Sequence, residues 1–158
     1  MSSRRYRPNV ALILEREVSF LGTEVLIGER SDMPGTWQFP QGGAKPGESL
    51  LDALAREVEE EIGLKPDAYF ILKQLGPYRY DFPQGKIKEG FGGQEQTYFL
   101  ARLKEPNLFQ LEGEIHSEEF LRLRWVKPKD FELSWVAPFK REVYRQLFSD
   151  LWQIELKA

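Results

Sequence analysis

The 158-residue chain contains no cysteine and a single histidine, His116. Without cysteine there is no disulfide framework, no cysteine-ligated zinc and no thiol nucleophile. One histidine removes His-rich metal sites and most Ser-His chemistry, and His116 itself falls in a polar stretch with no catalytic role assigned. No apolar run approaches the length of a membrane span and no secretory leader is recognisable, so a cytoplasmic protein without a membrane partner is expected. An excess of one charge is also missing. The 22 basic and 25 acidic residues leave a formal −3, which argues against a general nucleic-acid coat, a duplex-DNA binder or a polybasic membrane binder. Repeats, low-complexity tracts and linkers are absent too, and the length suits a single domain, 1–158, large enough for a real core.

What is present is an unusual concentration of carboxylates. Glu48, Glu57, Glu59, Glu60 and Glu61 lie in or just before one amphipathic helix. Glu57 and Glu61 are one turn apart, with Glu60 beside them, while Leu51, Leu54, Ala55, Val58 and Ile62 are expected to fill the opposite, buried face. Bunched carboxylates repel one another, which serves structure poorly but suits a hard divalent cation such as Mg²⁺, usually shared with substrate phosphates. Ser49 is placed to cap the helix, Asp52 sits in its first turn, and Gly63 followed by Pro66 marks its end. Ahead of it, Trp37–Pro40 reads as a short strand and Gln41–Glu48 as a turn, where Gly42 and Gly43 let backbone approach an ion or phosphate closely.

Further strands are expected at Asn9–Leu14, Thr23–Arg30, Ala68–Gln74, Tyr78–Phe82, Gln94–Leu103 and Leu121–Val126, with a closing helix over Phe139–Trp152. The Gly- and Lys-containing loop from Pro83 to Gly93 is the candidate for a segment that covers substrate. Strands before and after a helix, with a second helix at the end, indicate an α/β domain with a mixed sheet sandwiched between helices.

The stretch Gly42-x5-Glu48-x7-Arg56-Glu57-Val58-x-Glu60-Glu61-x-Gly63 resembles the Nudix box at every fixed position. The resemblance implies an α/β/α sandwich and hydrolysis of a nucleoside diphosphate linked to another group, with Mg²⁺ as cofactor and Mn²⁺ able to substitute. Carried onto this chain, it implies Glu57 and Glu61 as first-choice metal ligands and Glu60 as an additional one. The Gly42 carbonyl would be a backbone ligand, and Arg56 would orient the carboxylates. Glu48 is either a brace at the helix start or ordinary surface charge, and Glu59 is read as solvated. The general base in this family often lies outside the box; here Glu119, just before Phe120, is the carboxylate chosen, with Glu118 as the competing neighbour.

Beyond the box, Tyr6–Val10, Trp37–Gly43, Gly93–Leu100, Glu119-Phe120 with Arg124–Val126, and Phe139–Tyr144 resemble the bacterial RNA pyrophosphohydrolases and the related dinucleoside polyphosphate hydrolases. The first group implies a 5′-triphosphate RNA end as substrate and a role in initiating mRNA decay; the second implies compounds such as diadenosine tetraphosphate. Arg7 and Lys140 are expected to meet phosphate oxygens, and Gln94 a phosphate or base edge. Phe139 would stack on an unpaired base, or else belong to the core. A base-sandwiching arginine is expected near Arg16–Gly35, a region longer than in those relatives, and Arg30 is its nearest candidate. Arg4, Arg5, Lys86 and Lys88 add local positive charge suited to gripping a terminus. Among enzymes, hydrolysis of free nucleoside triphosphates is a further alternative, and the rival from another class is a non-catalytic module that senses a nucleotide.

Overall fold

The computed structural model of the chain describes residues 4–18, 20, 22–105 and 111–157. Its centre is strand β1 (Tyr6–Val18), whose residues from Asn9 to Glu15 are buried without interruption. Such a run needs cover on both faces. Val10, Leu12 and Leu14 point to one side, and Ala11 and Ile13 to the other, where they join different hydrophobic clusters. β1 pairs antiparallel with β2 (Gly22–Arg30) and parallel with β6 (Gly93–Leu103). Outside β6 lies β5 (Tyr69–Asp81), and outside β2 lie β8 (Phe120–Val126) and β7 (Gly113–Glu114), giving the order β5-β6-β1-β2-β8-β7. Two short strands attach to this path: β3 (Trp37–Gln38) on β2 and β4 (Gln41–Gly43) on β1.

Helix α1 (Leu50–Ile62) covers the Val10/Leu12/Leu14 face with Ala53, Leu54, Val58 and Ile62. Ser49 accepts from the Asp52 amide at 3.1 Å, and Gly63 closes the helix with a left-handed φ of 69°. Helix α2 (Arg141–Trp152) covers the other face with Val143, Tyr144, Leu147 and Phe148, against an aromatic cluster of Phe39, Tyr98 and Phe131. The result is the expected α/β/α sandwich on a mixed sheet.

Four expectations change in detail. Leu51 is 56 % exposed rather than part of the buried face, and Ala53 takes its place. Gln41–Gly43 is strand β4 rather than turn, paired with Asn9–Ala11. Ala68–Gln74 and Tyr78–Phe82 are parts of one strand, β5, with register shifts near Ile71 and Leu75. Phe139 and Lys140 precede α2, in a short 3₁₀ turn at Pro138–Lys140.

Candidate active site

The box loop and helix meet where β4 lies beside α1. Gly42 is pressed against Glu57: a Cβ added there would collide with the Glu57 carboxyl group. Arg56 organises the cluster. Its Nε and Nη2 donate to the two oxygens of Glu48, both at 2.9 Å, Nη1 donates to Glu57 at 2.7 Å, and Nη2 also reaches the Gly43 carbonyl at 2.9 Å. Glu60 lies at the margin, 3.4 Å from Nη1 and mostly exposed. The bidentate fork draws the Glu48 carboxyl down to about 2. Glu57 moves the other way: burial raises its pKa against the pull of Arg56. Glu59 is exposed, as expected.

The segment before β8 brings the second group of carboxylates. Ser117 Oγ donates to Glu61 at 2.5 Å and accepts from the amides of Glu119 and Phe120 at 3.1 and 3.3 Å. The Glu119 amide also donates to Glu61 Oε2 at 3.2 Å, so Glu61 and Glu119 stand together. Glu118 is exposed and only its backbone is engaged, accepting from Ser31. Glu119 Oε1 accepts from Gln38 Nε2 at 2.9 Å, and Gln38 Oε1 accepts from Lys140 Nζ at 2.9 Å. Burial, with the neighbouring Glu61 charge, pushes Glu119 up to about 8. Burial, with Arg30 nearby, brings Lys140 down to about 7.

The residues expected to hold substrate come from several elements. Arg7 on β1 is in register with Gln94 on β6, and its guanidinium lies over Gly43, where an added Cβ would meet Nη2. Gln94 accepts from the Tyr80 hydroxyl at 2.6 Å. Phe139 is half-buried against the α2 core, its ring 5.6 Å from that of Tyr80, which is the packing role of its two expected ones. Arg30 is held by a bidentate contact to Asp32 at 2.9 and 2.7 Å. Lys140 departs furthest from expectation: it is 2 % exposed and spent on Gln38 rather than offered to a phosphate. Arg4 and Arg5 are likewise engaged, Arg4 with the Gly92 carbonyl and Arg5 over the Phe91 ring, tying the N-terminal arm to the 83–93 loop.

Nudix hydrolases generally use divalent metal ions, and the donors gathered here are chemically suited to one. Glu57, Glu60, Glu61, Glu119 and the Gly42 carbonyl offer only oxygen, the preference of a hard cation. Among the described residues no three acidic side chains converge closely enough to grip an ion as they stand; Glu57 is turned to Arg56 and Glu61 to Ser117. Sequence reasoning passes over Ser117, Gln38 and Tyr80. A signal exists for two of them: Ser117 stands two residues before Glu119, at the spacing of a serine turn, and Gln38 is a lone amide between Trp37 and Phe39, where burial demands partners.

A family model described as NUDIX domain matches residues 5–147. The RNA pyrophosphohydrolase of Helicobacter pylori (strain P12) is 44 % identical over 152 residues, covering 94 % of this chain and 95 % of its own. That of a Nitratiruptor species is 40 % identical over 150 residues, covering 93 % and 94 %. Among solved structures, a C. elegans Ap4A hydrolase binary complex superposes with a TM-score of 0.66 at 22 % identity, over 94 % of this chain and 99 % of that one, which shows a shared fold. With the box residues in place and most of its length matched, the chain belongs to the Nudix family.

Proposed function

We propose that the protein is a Mg²⁺-dependent RNA pyrophosphohydrolase of the cytoplasm. It would convert the 5′-triphosphate end of RNA to a 5′-monophosphate, release pyrophosphate and so open the transcript to decay. The observation that carries this reading is the contact of the box residue Glu61 with the segment that carries Glu119, in a chain alike over nearly its whole length to relatives named RNA pyrophosphohydrolase. Glu57, Glu61, Glu60, Glu119 and the Gly42 carbonyl are the groups that would hold the cation. When bound, Mg²⁺ (or Mn²⁺) supplies positive charge against the polyphosphate oxygens.

The chain's own residues supply the rest. Glu119, set beside Glu61 and held by Gln38, accepts the proton of the attacking water as its oxygen bonds to phosphorus and the anhydride bond breaks. Arg56 and Ser117 hold Glu57 and Glu61 in the free protein, and the two carboxylates would turn from these partners toward a shared cation. Arg7 would neutralise phosphate charge next to the glycine backbone of β4, and Phe139 with Tyr80 would support a base.

The test is turnover of 5′-triphosphate RNA with an unpaired end beside diadenosine tetraphosphate, each with Mg²⁺. Pyrophosphate and monophosphorylated RNA as the dominant products are expected. Preferential release of ATP from diadenosine tetraphosphate would transfer the assignment to dinucleoside polyphosphates. Binding without turnover of either would make the protein a nucleotide sensor.

A further inference from the structure

Gln38 is 2 % exposed, and so is Lys140; the two meet beneath Glu119. Lys140 Nζ donates to Gln38 Oε1 at 2.9 Å, and Gln38 Nε2 donates to Glu119 Oε1 at 2.9 Å. We propose, on the basis of the hydrolase reading above, that Gln38 is the positioning residue for the Glu119 carboxylate, and that Lys140 acts on the reaction only through Gln38.

The argument is one of hydrogen-bond polarity. An amide has one acceptor end and one donor end. In its charged form Lys140 only donates, and with Nζ 2.9 Å from Gln38 Oε1 it holds the amide oxygen toward itself. The amide nitrogen is thereby turned to Glu119, where it must find an acceptor. It takes Oε1 of the carboxylate at 2.9 Å. The frame around the amide is stiff. Gln38 lies in β3, paired with Gly28 of β2, and the Lys140 amide is bonded to the Ala137 carbonyl at 2.9 Å in the turn before α2. Tyr80 closes the far side, its ring 5.6 Å from Nζ. Ser117 fixes the Glu119 backbone and Gln38 fixes its side chain, so the direction of the carboxylate is set from both ends. A buried polar chain of this kind holds one geometry because any flip leaves a donor facing a donor.

The rival role for Lys140 is direct contact with substrate, and a double-mutant cycle separates the two. Steady-state kcat and KM are measured with Mg²⁺ on 5′-triphosphate RNA and on diadenosine tetraphosphate, for wild type, Gln38→Met, Lys140→Met and the double variant. Outer-shell supports of this kind are worth about 10–100-fold. We expect Gln38→Met to lower kcat by about 30-fold and Lys140→Met by about 10-fold, with KM nearly unchanged and the double variant no slower than Gln38→Met. The factors should agree on both substrates, since the brace acts on Glu119 and not on the ligand. A several-fold rise in KM for Lys140→Met, or losses that multiply in the double variant, would overturn the proposal. Gln38→Asn covers the case where Gln38→Met does not fold. It keeps an amide but is one methylene too short to reach both Lys140 and Glu119 (2.9 Å at each end in the wild type), so a folded Gln38→Asn protein with wild-type kcat would equally overturn it. A wild type active only on diadenosine tetraphosphate would remove the RNA assignment while leaving the cycle fully measurable.

Discussion

The two halves of the site are built by opposite means. The box half takes Gly42, Glu48, Arg56, Glu57, Glu60 and Glu61 from one uninterrupted stretch of chain, and one guanidinium ties most of them together. The other, the proposed recognition half, draws Arg7 from β1, Arg30 from β2, Tyr80 from β5, Gln94 from β6 and Phe139 from the turn before α2, with Lys140 of that turn buried behind them. Burial, and after it the charges of Glu60 and Glu61, work against ionised Glu57 in the first, while aromatic packing around buried polar groups supports the second. Function and stability are therefore separable in the box half and entangled in the recognition half. Each of the following substitutions either breaks that contrast or sharpens it.

The largest effect is expected in the box. Glu57→Gln or Glu61→Gln removes a charged cation ligand and transition-state support, a loss of about 4 kcal/mol or roughly a thousandfold in kcat/KM. Thermal stability should hold, because glutamine keeps an oxygen for Arg56 or Ser117 to donate to while a partly buried charge has gone. Near-normal turnover by folded Glu61→Gln with Mg²⁺ would end the metal assignment, and a collapse of Tm would show the box half to be as structural as its counterpart.

The same contrast decides how much is legible in the sequence. Ser49 and Gly63 fulfil their capping roles because both act within a turn of their neighbours, and the carboxylate spacing follows directly from helical periodicity. Leu51 misleads because a helical wheel shows which residues share a face, not how far the sheet extends beneath it. β5 reads as two strands because Gly76-Pro77 looks like a strand break. β5 is an edge strand, however, where a proline's missing N–H costs no ladder bond, and a register shift between Leu75 and Tyr78 accommodates it. The Gly-rich Gln41–Gly43 has the composition of a turn, and only its pairing with β1 makes it a strand. Lys140 is least legible: nothing local to Phe139-Lys140-Arg141 signals that the ammonium is enclosed by Gln38 and Tyr80 from distant strands.

Adjacent glycines sharpen the comparison. A methyl on Gly42 meets the Glu57 carboxylate itself, whereas one on Gly43 meets the far end of the flexible Arg7 side chain. Gly42→Ala should displace Glu57 and lower kcat by about 100-fold. Gly43→Ala should let Arg7 swing aside, raising KM about 3- to 10-fold while sparing kcat. Arg56→Lys belongs with Gly42→Ala: a point charge replaces a fork that serves Glu48, Glu57 and Gly43 at once, and kcat should fall about 10–100-fold. If Gly43→Ala hurts kcat as much as Gly42→Ala, the two halves are not separable.

Phe139→Ala tests the recognition half, where activity and stability should fall together. Loss of a half-buried ring packed on Tyr80 should lower Tm. Loss of a stacking surface should cost RNA turnover about 1–3 kcal/mol, and hydrolysis of a free nucleoside triphosphate less, since that substrate has no second base to place. Pre-pairing the RNA end should mimic the variant, because a base held in a duplex must first be unstacked. Equal losses on both substrates with a large fall in Tm would make Phe139 core alone.

The smallest effect is a pH signature at the join between the halves, measured as stability in EDTA. Glu119 is raised from its ordinary 4.5 to about 8. Between those values the folded protein binds a proton that the unfolded chain does not, so its contribution is full below 4.5 and is lost as pH rises through 8. Lys140 is lowered from 10.5 to about 7. There the folded protein binds fewer protons than the unfolded chain, so the cost of burying the charge is full below 7 and is relieved as pH rises toward 10.5. The two slopes oppose each other, and their sum reaches a minimum near pH 7–8. Glu119→Gln keeps an oxygen for Gln38 to donate to but removes the descending limb. Relative to its own difference from wild type at about pH 4.5, it should gain about 4 kcal/mol by about pH 8. Lys140→Met should remove the ascending limb instead, flattening the profile above about pH 7. Chemical-denaturant unfolding across roughly pH 4.5–10 reads both. A Glu119→Gln profile parallel to wild type would mean that Glu119 ionises normally, leaving its suitability as a base at neutral pH without support from its surroundings.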